Sequence, residues 1–239
     1  MLSTTIHRNN MTNMRFTVIF FLLLLASALS GCSHFGHYPI NAPLERYEPH
    51  GYIPQNLVNP NNSEKLLVIL SFSGGGTRAA AFSYGVLEEL RESKVAFNGS
   101  QHRLLDEVDV ISGVSGGSFT AAYYGLFGER IFEDYESRFL KKNIQGDLTT
   151  RIFLNPINWF RLSSPYFDRS DIAAEYYDKN VFEGKTFGDI LKRRGPMVLI
   201  NATDMSLGQR FTFNQTVFNA ICSDLLVFPV ARACAASSA

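Results

Sequence analysis

Gly113-Val114-Ser115-Gly116-Gly117 is the stretch of this sequence with the clearest chemical content. A serine flanked by glycines, placed between the short apolar strand Val108-Asp109-Val110-Ile111 and a helix with Phe119, Ala122, Tyr123 and Leu126 on one face, has the pattern of a nucleophile elbow. The glycines allow a turn too sharp for side chains beside the serine. The Ser115 hydroxyl then projects outward, and the N–H that follows it can face a developing oxyanion. A second glycine turn, Gly74-Gly75-Gly76-Thr77-Arg78, also stands between a strand and a helix. Consecutive glycines let backbone N–H groups converge, and a helix N-terminus adds partial positive charge, so this turn suits an anion.

Which anion is narrowed by elimination. A phosphate-binding P-loop needs Gly-Lys-Ser/Thr, which is absent, and a dinucleotide turn needs a glycine where Ala79 stands and an acid at a later strand end. The bland alternative for either turn is a tight strand-to-helix connection that uses glycine only for packing. A base for Ser115 is harder to find. The last histidine, His102, precedes Ser115, so the Ser-Asp-His order of α/β-hydrolases is impossible within this chain. A carboxylate acting directly on the serine is the remaining simple solution.

The elements that must position these residues can be read around them. Leu66-Leu67-Val68-Ile69-Leu70 has the continuous apolar pattern of a strand buried on both faces, and the helix after the first turn places Ala79, Phe82, Val86 and Leu90 on one side. Further on, Phe187-Gly188-Asp189-Ile190-Leu191 starts a short helix ending near Arg194-Gly195. Met197 to Ile200 is a strand, and Arg210-Phe211-Thr212-Phe213-Asn214 alternates as a further one. Residues 129–195 are dense in aromatics, among them Tyr135, Phe139, Trp159, Tyr176 and Phe182. We read these as a helical subdomain packing its own core, with the lining of an acyl-chain channel as the alternative.

The 239 residues carry 22 Lys+Arg against 22 Asp+Glu, which gives no electrostatic case for nucleic-acid binding. With 46% hydrophobic residues the chain is of ordinary globular composition. No cluster of carboxylates or histidines suits a metal, and no cofactor is implied. Residues 1–31 stand apart: Arg8 and Arg15, no acid, and an apolar run from Phe16 to Leu29 that is short for a membrane span. They read as an export signal. It ends Leu29-Ser30-Gly31-Cys32, which resembles the lipobox of bacterial lipoproteins, where cleavage precedes a lipidated cysteine. The expectation is therefore a protein held by lipid on Cys32 to the membrane of the bacterial cell envelope, on the periplasmic side. Without residues 1–31 the charge is near −2, so lipid rather than a basic patch would hold it there. Residues 32–63, rich in Pro, Asn, Tyr and His, read as a tether. Cys222 and Cys234 are expected as unpaired, buried thiols.

Taken together, the two glycine turns and Val198-Leu199-Ile200-Asn201-Ala202-Thr203-Asp204 resemble the patatin-like phospholipase family. The resemblance covers roughly residues 64–239. It implies an α/β fold of three layers around a mostly parallel sheet, and hydrolysis of lipid acyl esters by a Ser-Asp dyad. It also implies Ser115 as nucleophile, an oxyanion hole from Gly74, Gly75 and Gly76, and Arg78 as support for that loop. The substrate would be a membrane lipid. The family's dyad aspartate sits in an Asp-Gly turn, and no Asp-Gly dipeptide occurs here. The expectation is a domain incomplete at its C-terminus, with an open sheet edge, and inactive or nearly so as written. Asp204 is the best local substitute base, although a turn cap is the plainer reading of it. A membrane-tethered protein that binds acyl chains without catalysis, or an acyltransferase, is the rival reading.

Overall fold

The computed structural model describes residues 17–24, 41–57, 59–97, 99–164 and 166–239. These fall into two units. The smaller comprises 1–38 and 157–168; its described part holds a helix over 17–24, exposed along its length, and most of helix Pro156–Leu162. No helix among the described residues is long and apolar enough to cross a membrane. The expected lipidation site Cys32 lies outside the described residues, as does most of the expected signal.

The larger unit, 39–156 with 169–239, is a mixed α/β structure with a mostly parallel central sheet flanked by helices. Its strands are β1 (Val68–Phe72), β2 (Lys94–Phe97), β3 (Ser100–Arg103), β4 (Val108–Val114), β5 (Met197–Asp204) and β6 (Gln209–Phe213). The helices are α1 (Gly76–Glu92), α2 (Gly116–Phe127), α3 (Ile131–Tyr135), α4 (Ile144–Leu154), α5 (Pro156–Leu162, mostly in the smaller unit), α6 (Arg169–Tyr177), α7 (Phe187–Arg193), α8 (Gln215–Ala220) and α9 (Val230–Ser238). The main sheet runs β1-β4-β5-β6. The first three strands are parallel and β6 is antiparallel to β5, while β2 and β3 form a separate hairpin.

Register places the site. Phe72 lies opposite Gly113, and Val114 opposite Asn201. β1 and β4 therefore reach the same end of the sheet together, and each passes there through a glycine turn into a helix. Helix α2 is buried on every side from Gly116 to Leu126 rather than along one stripe. It is the axis on which the remaining elements pack. Some aromatics of the middle segment join its core: Phe119 stacks on Phe139 with ring centroids 4.6 Å apart, and Tyr123 packs against Tyr135 at 4.8 Å. Tyr135, Phe139 and Phe182 are buried in a core shared with the sheet rather than one of their own, Tyr176 is buried outside that cluster, and Trp159 is exposed. Thr186 and Asp189 form the capping box that starts α7, as the Phe187 helix signal predicts.

Four expectations need correction. β1 is an edge strand, not one buried on both faces: Leu67 is 75% and Ile69 56% exposed. An apolar run specifies a strand but not its place in a sheet. The face that α1 buries is Ala80, Ser83, Tyr84 and Leu87, turned about one residue from that predicted, and Phe82 is left exposed. The reason is the contact with α2, where the Thr120 hydroxyl donates to the Ala80 carbonyl at 2.9 Å. The segment expected as tether is packed over part of its length. Tyr52 is fully buried; its hydroxyl donates to the Val198 carbonyl at 3.0 Å and accepts from the Val198 N–H at 2.9 Å. β6 pairs with β5 only from Ile200 onward, so Tyr52 occupies a stretch of β5 edge that no strand covers. Of the two thiols, both unpaired, Cys234 is buried and its pKa is pushed well up by desolvation, but Cys222 is exposed.

Candidate active site

Ser115 sits between β4 and α2 with φ 50° and ψ −123°. That backbone region is costly for a residue with a side chain, of order 1–3 kcal/mol, and persists only where neighbours hold it. The neighbours here are tight. A Cβ on Gly113 would lie 2.6 Å from Ser118 Cα, and one on Gly117 would lie 2.7 Å from both Phe72 Cβ and the Ser73 carbonyl. The flanking glycines are thus required by space, as the elbow pattern implies.

The two glycine turns touch. A Cβ on Gly116 would lie 2.0 Å from the Gly76 carbonyl oxygen, and one on Gly74 would lie 3.3 Å from Ser115 Cβ. Gly75 and Gly76 have φ of 138° and 63°, so this turn needs the freedom of glycine for its conformation as well. No side chain caps α1 or α2 at its N-terminus. Both helices begin beside Ser115, and an open helix N-terminus favours negative charge.

Around Ser115, the serines provide the polar contacts. The Ser118 N–H and hydroxyl both donate to the Ser115 carbonyl, at 2.9 and 2.5 Å, and the Ser115 N–H donates to Ser237 Oγ at 2.8 Å. Among the described residues the Ser115 hydroxyl itself has no hydrogen-bond partner. Beside the elbow lies a cleft of about 560 Å³ lined by Ser112, Val114, Asn201, Met205, Arg210 and Ser237, among others.

A model of the family described as patatin-like phospholipase matches residues 70–239. The chain belongs to the patatin-like phospholipase family. No curated protein and no solved structure matches it. For a patatin-like chain, two candidate supports of the site are placed as follows, Asp204 in the plainer of its two readings. Arg78, expected to brace the glycine loop, is exposed, and its side chain makes no hydrogen bond or ion pair with a described residue. Asp204 is a turn cap, its carboxylate accepting from the N–H groups of Ser206 at 2.8 Å and Leu207 at 3.2 Å. Ser237 was missed by sequence reasoning. It is an unremarked serine in a run of small residues, and only the packing of α9 carries it to the elbow.

Proposed function

We propose that this patatin-like domain is a lipid acyl hydrolase in which Ser115 attacks the ester carbonyl of a membrane lipid. The observation that carries the reading is the contact between the two glycine turns, which puts an unbonded serine hydroxyl beside two uncapped helix N-termini. In the reaction the hydroxyl oxygen adds to the carbonyl carbon, and the tetrahedral oxyanion is held by N–H groups of the Gly74–Gly76 turn and of Gly116. Each such donor is typically worth about 3 kcal/mol in the transition state. Collapse expels the alcohol and leaves an acyl-serine, which water then hydrolyses.

The proton on Ser115 must go to a base, and the family resemblance assigns that role to an aspartate paired with Ser115. None of the described carboxylates is bonded to the hydroxyl. Loss of such a partner typically costs about 10⁴ in rate, while the oxyanion site alone retains about 10³–10⁴ over water. We therefore expect a slow site in these 239 residues. Anchoring through lipid on Cys32 in a bacterial envelope remains part of the proposal and would hold the domain at its substrate.

A fluorophosphonate probe tests this. The expected result is slow attachment to Ser115 in the native protein, none after heat unfolding, and ester turnover no higher than that of the Ser115→Ala variant. Failure to label Ser115 would overturn the nucleophile assignment. Turnover that disappears in Ser115→Ala would overturn the expected slowness. That no described carboxylate bonds to the Ser115 hydroxyl favours a second reading, acyl-chain binding without catalysis, which requires lipid binding that survives Ser115→Ala in a protein the probe never labels.

A further inference from the structure

The peptide of Ser115 is gripped at both ends by serine hydroxyls. Ser118, in the first turn of α2, holds the carbonyl. Ser237, 122 residues further along and in the last turn of α9, holds the N–H. The Ser237 hydroxyl then donates its own proton to the Asn201 carbonyl at 2.5 Å.

That acceptor is itself fixed. Asn201 Nδ2 donates to Ser112 Oγ at 3.0 Å and to the Gly113 carbonyl at 3.2 Å, and Thr212 Oγ1 donates to Asn201 Oδ1 at 2.8 Å. Val114 opposite Asn201 is the last pair of the β4–β5 ladder. Beyond it β4 turns into the elbow, and the Ser115 N–H moves away from β5. The Ser237 hydroxyl stands in the opening, accepting from Ser115 and donating to β5. Only a hydroxyl among small side chains does both well.

We propose that Ser237 is a positioning residue for the nucleophile, its hydroxyl completing the ladder rung that the elbow leaves open. The proposal rests on Ser115 being the nucleophile. Because the rung occupies the Ser115 N–H, the oxyanion donors are the N–H groups of Gly116 and the Gly74–Gly76 turn.

The test compares the full chain with its Ser237→Ala and Ser237→Thr variants by amide hydrogen exchange and by the rate of fluorophosphonate attachment. Threonine keeps the hydroxyl, and Ser237 lines the open cleft, which has room for a methyl group. Loss of the rung is expected to speed exchange at the Ser115 amide by about tenfold, on the scale of one lost hydrogen bond. Exchange at Ile111 and Val198 should stay unchanged. Labelling should slow by a similar factor, and threonine should restore both. Unchanged exchange at Ser115 in Ser237→Ala overturns the proposal, as does equal acceleration at Ile111 and Val198, which marks general packing. Should the alanine variant not fold, the unmodified protein decides: a Ser115 amide exchanging as fast as an open loop excludes the rung. If exchange behaves as expected but the unmodified protein never labels, the rung stands and the nucleophile reading falls.

Discussion

Gly116→Ala is expected to lower the rate of probe attachment to Ser115 by about 100-fold, the effect of a displacement near 1 Å at a reacting group. The added Cβ would stand 2.0 Å from the Gly76 carbonyl oxygen, 2.7 Å from its carbon and 3.1 Å from its Cα. All three are backbone atoms, so no side chain can swing aside, and relief requires the two turns to part. That movement carries the oxyanion donors away from the serine. Overpacking of this kind typically costs about 1–3 kcal/mol, and we place this case at the upper end because the obstacle is main chain. At about 2–4 °C per kcal/mol for a domain of this size, the melting temperature should fall by roughly 6–12 °C. Gly85, in the middle of α1, has nothing within 4 Å of its Cβ direction and serves as the control. Alanine there should leave labelling unchanged and the protein no less stable. Labelling and melting curves on the two variants decide the matter, and normal labelling in Gly116→Ala would mean the turns do not interlock.

Tyr52→Ala should destabilise the larger unit by about 4 kcal/mol, in the range for removing a buried aromatic ring. The ring packs edge-on against Phe187 with centroids 5.4 Å apart, and its hydroxyl serves both polar groups of Val198. Truncation leaves a cavity and strips a buried N–H and C=O of their partner. The expected fall in melting temperature is roughly 8–16 °C. Tyr52→Phe keeps the ring and should show only the polar part, about 1–3 kcal/mol. Deleting the segment before Gly51 while keeping Tyr52 separates this contact from the rest of the strap. An unchanged melting temperature in Tyr52→Ala would show that the strap is not part of the folded unit.

Much of the site was readable along the chain because its motifs are local. A glycine required by a turn lies within a few residues of the strand and helix it joins, so Gly113 to Gly117 and Gly74 to Gly76 carry their own context. The strand at Met197 and the short helix that starts at Phe187 are legible for the same reason. Features that depend on partners distant in sequence were not. The buried face of α1 was misread because tight packing beside α2 favours Ala80 and Ser83 over the larger Phe82. The role of Tyr52 was missed because its partner lies 146 residues away. Likewise, Cys222, expected buried beside Cys234, is exposed, a difference that no spacing of cysteines expresses.

The sequence by itself determined that this chain makes two glycine turns, each between a strand and a helix, and that one of them presents a serine. Those properties follow from sterics within a few residues. Only the tertiary structure decided that the turns meet, that β1 stands at the sheet edge, and that Ser237 closes the ladder behind Ser115. Each of these is a choice among neighbours made by long-range packing and strand order, on which local backbone preference is silent.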